Sequence, residues 1–262
     1  MKIKDITSVI EQAAPLSAQE SYDNSGLIVG NPEAEVRSAL ICVDITEEVM
    51  DEAQALGADM VISHHPIIFH PIRRLTDTGY VERVVGRAIK SGAALYACHT
   101  NLDAIRGGMS FKLAELLGVV DAEILSLAAP SDPDVGFGVI GRLGKEMSAA
   151  DFLRGVMQKL NLKSLRHSDI CDRPVKRVAI CSGSGASLIE SAAAAGADVY
   201  LAADFKYNDF LNADGRLTVA DIGHFESEYC AIDLIYDIIT KKISTFALHK
   251  SKNSRNPVNY IV

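Results

Sequence analysis

Three short stretches of the chain carry imidazoles and carboxylates in a pattern suited to holding metal ions: Ser63-His64-His65-Pro66, His99-Thr100-Asn101-Leu102-Asp103 and Gly223-His224-Phe225-Glu226-Ser227-Glu228. The first closes an apolar run, Met60-Val61-Ile62, that reads as a β-strand. Neighbouring side chains on a strand point to opposite faces, so His64 and His65 converge only where the strand has ended. Pro66 enforces that end, because it donates no ladder hydrogen bond and restricts the residue before it. The other two stretches each set an imidazole and a carboxylate four positions apart, where one helical turn stacks them on the same side. His64, His65, Asp103, His224 and Glu228 are too few for two closed metal sites, and enough for two open ones if a carboxylate bridges. Imidazole and carboxylate without thiolate suit Zn, Mn, Fe, Co or Ni and do not choose among them. Taken singly, a histidine reads as a hydrogen-bonded structural residue and Glu228 as a helix N-terminal charge. Their shared position at strand ends favours metal.

The elements that must position these residues repeat. Residues 39–65 and 178–204 align without a gap at a constant offset, since 180 − 41 and 198 − 59 both give 139. Ile41, Cys42, Ala53, Ala55, Gly57, Ala58 and Asp59 fall on identical residues in the second copy. Each copy reads as strand, helix, glycine stop, strand. In the first, Asp44 with Glu47 has capping-box spacing, and Ile45, Val49, Ala53 and Leu56 recur at helical period. Matched spacing over a whole unit points to duplication. Strands alternating with helices imply an α/β fold with mainly parallel sheets, and ligands then gather at the carboxyl ends of the strands.

Elsewhere, Ile3, Ile6, Val9, Ile10 and Ala13 predict an N-terminal amphipathic helix, and Val81, Val84, Val85, Ala88 and Ile89 another, stopped by Gly92. A strand–helix–strand stretch is expected within 126–175, and a last helix near 229–239 precedes a strand near 245–249. His99 could ligate, but its neighbours Thr100 and Asn101 also suit a role in orienting ligands or meeting substrate. Cys181-Ser182-Gly183-Ser184-Gly185 reads as a tight structural turn that could also cradle an anion. It lacks the endings of a Walker loop or a nucleophile elbow. His70 and His167 are set aside as surface or structural, and His249, on the last strand, could approach the site but is not counted among the ligands.

Bulk properties exclude several classes. The 262 residues allow one large domain or two small ones, with 48% hydrophobic residues to fill them. A net charge of −8 argues against a nucleic-acid backbone or an anionic membrane as partner. The five scattered cysteines contain no C-x-x-C and read as reduced core thiols. No apolar leader or membrane span is visible, so a cytoplasmic location is expected.

With these motifs in this order, the chain resembles the NIF3-like dinuclear-metal proteins, often described as homologues of GTP cyclohydrolase 1 type 2. The resemblance covers essentially the whole chain. It rests on Asp23-Asn24-Ser25-Gly26-Leu27, the His-His-Pro and His-Thr-Asn-Leu-Asp stretches, the Cys181–Gly185 turn and Gly223-His224-x-x-x-Glu228. It implies two pseudo-symmetric α/β halves with mainly parallel sheets facing a central dinuclear metal site. Residues 1–125 would form the first half, 126–175 a short β-α-β connector, and 176–262 the second half. It further implies two divalent ions on His64, His65, Asp103, His224 and Glu228, with Glu228 bridging, in a toroidal homohexamer. The activity implied is hydrolysis of a nucleotide by a metal-bound hydroxide, which in the GTP reading opens the guanine imidazole ring and releases formate. His99 is then the favoured catalytic proton shuttle. A metal-dependent phosphoesterase is a related reading, and a non-enzymatic metal-binding oligomeric adaptor is the alternative class. One departure stands out: many relatives carry histidine where this chain has Asn208.

Overall fold

Short runs of Ala, Val, Ile and Leu, such as Ser38–Cys42 and Val199–Ala203, are apolar at nearly every position and need cover on both faces. In the computed structural model, which describes residues 1–261, these runs are the central strands of two sheets. The chain begins α1 (Ile3–Ala13), β1 (Gly26–Val29), β2 (Ser38–Cys42), α2 (Glu47–Leu56), β3 (Met60–Ser63), α3 (Tyr80–Ser91), β4 (Ala94–Ala97) and α4 (Thr100–Asp103). It continues α5 (Met109–Leu117), β5 (Val119–Ala129), β6 (Asp132–Met147), α6 (Ala149–Lys159), β7 (Arg166–His167), β8 (Val175–Ser184) and α7 (Ile189–Ala194). It ends β9 (Val199–Ala203), α8 (Tyr207–Leu211), β10 (Thr218–Asp221), α9 (His224–Glu228), α10 (Ala231–Lys242) and β11 (Ala247–Lys250).

Two compact units result. Residues 1–102 with 231–255 form the first, around a sheet of order β1-β4-β3-β2-β11 in which only β1 runs antiparallel to its neighbour. Its core gathers Leu40, Val49, Val61, Val84, Val85 and Leu95 between the sheet and the inner faces of α2 and α3. Residues 103–230 with the described residues from 256 on form the second, around a sheet of order β5-β6-β8-β9-β10-β7. Only β8–β9 and β9–β10 are parallel there; the pairs β5–β6, β6–β8 and β10–β7 are antiparallel. The expectation of mainly parallel sheets therefore holds for the first unit and fails for the second. The cause is the long β5–β6 hairpin, which the alternation of strand and helix does not signal.

The expected boundaries at 125 and 176 also differ from what is observed. The stretch 126–175 is no separate connector: β6 pairs with β5 on one side and β8 on the other, inside the second sheet. Nor does the C-terminal stretch belong wholly to the second unit. β11 pairs in parallel with β2, Leu248 opposite Ala39, and α10 packs on α1 and on β2.

The duplicated segments share their strand register, although the ten-residue α2 is matched in the second copy by a 3-10 turn, Ala186–Leu188, that runs into the six-residue α7. Ala39 pairs with Met60 and Leu40 with Val61; at the offset of 139, Val178 pairs with Val199 and Ala179 with Tyr200. Both helices end alike. The Ala58 amide donates to the Ala53 carbonyl and the Ala197 amide to the Ala192 carbonyl, across Gly57 (φ 64°) and Gly196 (φ 73°). Asp59 and Asp198 then each accept from the backbone and an arginine of the preceding strand region, Arg37 and Arg173 respectively. One detail differs from the sequence reading. Thr46, not Asp44, caps α2, its Oγ1 accepting from the Val49 amide. Asp44 is used otherwise.

A Cβ added at Gly57 or Gly196 would touch nothing within 4 Å, so substitution there reports backbone strain alone. Gly57→Ala and Gly196→Ala should each cost about 1 kcal/mol, the price of a left-handed alanine. Denaturant unfolding would measure both; a clear loss at one and none at the other would contradict the equivalence of the two segments.

Candidate metal centre

In the first unit, β3 ends at Ser63 and the next two residues turn while still tied to the neighbouring strand. The amides of His64 and His65 both donate to the Val43 carbonyl, at 3.1 and 3.0 Å. Ser63 Oγ donates to the His65 carbonyl at 2.7 Å, which closes the turn that Pro66 begins. The side chains are then held at one ring nitrogen each. The buried His64 donates through Nδ1 to the Cys98 carbonyl at 2.8 Å, and a carbonyl can only accept, so this fixes the tautomer. His65 Nδ1 bonds to Asp44 Oδ1 at 2.8 Å, and His99 Nδ1 to Asp23 Oδ1 at 2.7 Å.

These bonds direct the remaining nitrogens. The His64, His65 and His99 rings lie 5.0 to 5.4 Å apart, and one ligand nitrogen from each falls within 4.8 Å of the others. Asp23 also accepts from Thr100 Oγ1, from the Thr100 amide at 3.0 Å and from Ser25 Oγ at 2.9 Å. Burial opposes its charge, but the bonds from His99 and Thr100 prevail and hold the carboxyl well below its usual range. The Asp23–Gly26 turn thus exists to seat His99.

The second unit repeats the device. His224 opens α9 and Glu228 closes it, so the four-residue spacing brings His224 Nε2 to 3.0 Å from Glu228 Oε2. His224 Nδ1 bonds to Asp204 Oδ2 at 2.7 Å. Burial disfavours a charged ring, yet Glu228 and Asp204 outweigh it and lift the His224 pKa to about 9. An ion taking this Nε2 must displace that proton. Asp103 accepts from Ser182 Oγ at 3.2 Å. Cys181, beside both acids, is driven the other way: burial first, then Asp103 and Glu228, push its thiol up to about 12. It is a poor thiolate ligand or nucleophile.

The glycine-rich turn seats these acids. Gly183 has φ +63°, and a Cβ there would lie 2.2 Å from Glu228 Oε1. The Gly183 amide donates to Ser227 Oγ, Ser184 Oγ to Asp204, and Tyr200 OH to the Gly185 carbonyl. A structural role is what the turn performs.

His64, His65 and His99 come together in the first unit; His224 and Glu228 come together in the second, with Asp103 held on the same turn of β8. His167 lies exposed on β7 and bonds only locally to the Ser168 carbonyl, His249 lies on β11, and Asn208 is exposed on α8. The carboxylates behind the rings, Asp23, Asp44 and Asp204, were not assigned from sequence. The usable signal was their place: Asp44 and Asp204 each follow a buried strand. The four buried cysteines, Cys42, Cys98, Cys181 and Cys230, are unpaired by disulfides, as expected of reduced core thiols.

A family model for Duf34/NIF3 (NGG1p interacting factor 3) matches residues 1–257. The chain belongs to this family. A GTP cyclohydrolase 1 type 2 homolog of Clostridium perfringens is 32% identical, with 100% of both chains covered. One from Lactococcus lactis is 33% identical over 98% of each chain. Among solved structures, a hypothetical protein of Staphylococcus aureus with 29% identity matches at a TM-score of 0.91, covering 100% of this chain and 99% of that one. The resemblance read from the motifs is thereby established, and so is the NIF3-like α/β fold. No described helix is long and apolar enough to cross a membrane.

Gly183→Ala tests the seat of Glu228. Left-handed strain of about 1–2 kcal/mol adds to a collision with the carboxylate. We expect a lower melting temperature and reduced divalent-ion binding by calorimetry; wild-type values for both would show that Glu228 does not depend on this glycine.

Proposed function

We propose that this NIF3 family member holds two divalent ions on His64, His65, Asp103, His224 and Glu228, with Glu228 bridging, and hydrolyses a nucleotide. The observation that carries the reading is the set of ring bonds: in the three proposed ligand histidines, His64, His65 and His224, Nδ1 is bonded to a carbonyl or carboxylate. Metal-ligating histidines characteristically donate their second nitrogen in this way, which orients the ring and raises its basicity. The donor chemistry fits Zn, Mn, Fe, Co or Ni. Thiolates take no part.

Such ions, when bound, supply Lewis acidity and lower the pKa of water. The chain's own residues do the rest. Asp23, Asp44 and Asp204 hold the rings and balance the positive charge that ions bring. Glu228 is 3% exposed, so its charge needs a partner throughout. His99 stands against the His64–His65 pair and is the group placed to take or return a proton. The relatives' description as GTP cyclohydrolase 1 type 2 homologs supports GTP as the first substrate to try. A toroidal hexamer belongs to the same reading; native mass spectrometry finding no six-fold species would remove it.

Glu228→Ala should lose both ions together, read by elemental analysis after reconstitution. One ion retained at full occupancy would refute bridging. His99→Gln should lower nucleotide turnover sharply, by about 10²-fold or more, with ion content unchanged. Loss of ions in that variant would make His99 a ligand. Absence of turnover across a nucleotide panel with each metal would favour a metal-binding adaptor over a hydrolase.

A further inference from the structure

Beside the histidine cluster, the loop between β3 and α3 walls an open cleft of about 900 Å³ that the ligand set leaves unused. Phe69, His70, Arg73, Arg74 and Tyr80 line it. Its aromatic side is unusual for a surface: Phe69 is 41% exposed and Tyr80 57%, and just outside the lining Tyr22, 63% exposed, has its ring centre 6.3 Å from that of Phe69. The Phe69 ring in turn stands 6.2 Å from that of His99. This pair is held in place, because Asn24 Nδ2 donates to the Ile68 carbonyl at 2.6 Å and so ties the neighbours of Tyr22 and Phe69 together.

Its charge is equally distinct. Three other arginines of this unit hold carboxylates, in Arg37–Asp59, Arg83–Glu47 and Arg87–Asp51. Arg73 and Arg74 form no ion pair among the described residues, in a chain of net charge −8. The one carboxylate lining the cleft, that of Glu82, lies back over Gly79 at the start of α3, where it meets the helix dipole. Two uncommitted guanidinium groups beside an exposed ring platform match a ligand that is both planar and multiply anionic.

We infer that this cleft binds the nucleotide, its base stacked on Phe69 next to the histidines, with the Tyr22 ring, inclined at 58°, as a side wall, and its phosphate on Arg73 and Arg74, an assignment that rests on the nucleotide reading above. Stacking supplies affinity without base specificity, and the arginines select for the phosphorylated form.

Binding separates this inference from catalysis. Calorimetry on the full chain, reconstituted with Zn, would use GMP, guanosine and inorganic phosphate as probes. GMP should bind at least about tenfold more tightly than guanosine or phosphate. Arg73→Ala/Arg74→Ala should lose about that tenfold for GMP while guanosine binding, ion content and circular dichroism stay as in the wild type. Arg73→Lys/Arg74→Lys should recover part of it, and Phe69→Leu should weaken GMP and guanosine alike. GMP binding unaffected by the double alanine variant, or no GMP binding to the wild type, would overturn the inference. Binding through the arginines without turnover by any metal form would keep the cleft assignment and remove the hydrolase reading instead.

Discussion

A hydrogen bond at Nδ1 is the constraint on which this structure turns. An imidazole can present either nitrogen, and a ring free to choose is a poor ligand and a poor acid–base group. Here each ring is given its answer by a fixed acceptor: the Cys98 carbonyl for His64, and Asp44, Asp23 and Asp204 for His65, His99 and His224. The Cys98 carbonyl, Asp44 and Asp204 stay fixed because the strands before them are buried at every position, and Asp23 is fixed instead by its bonds to Thr100 and Ser25. Burial of apolar strands and orientation of polar rings are therefore one arrangement. Loosening the core would loosen the rings.

The same economy governs the acids. Glu228 is nearly inaccessible and sits against Gly183, where only glycine satisfies both the positive φ and the close approach. Ser182 and Ser184 on the same turn reach Asp103 and Asp204. A segment that resembles a phosphate loop in composition is occupied instead by the protein's own carboxylates. The proposed anion site lies elsewhere, at Arg73 and Arg74, which form no ion pair among the described residues.

Much of this was legible in the sequence, for identifiable reasons. The duplication showed because both copies need the same small and β-branched residues in the same register, Ala39 opposite Met60 and Val178 opposite Val199. The histidines and Glu228 showed because strand ends leave few reasons for buried polar groups. What stayed hidden depended on partners remote in the chain. Asp44 looked like a cap for α2, three residues from Glu47, and nothing local says that His65 claims it and leaves Thr46 to the helix. β11 looked like part of the second half because it follows it, whereas pairing with β2 is decided by which sheet edge remains open. The β5–β6 hairpin was missed for the opposite reason: its long strands are half exposed and carry no continuous apolar run.

X-ray absorption at the metal edge of protein reconstituted with zinc bears most directly on the central claim. The account predicts a shell of nitrogen and oxygen at ~2.0–2.2 Å with imidazole scattering, no sulfur, and a second metal at ~3.5–4 Å. Sulfur at ~2.3 Å, or an isolated ion without imidazole in its shell, would contradict it.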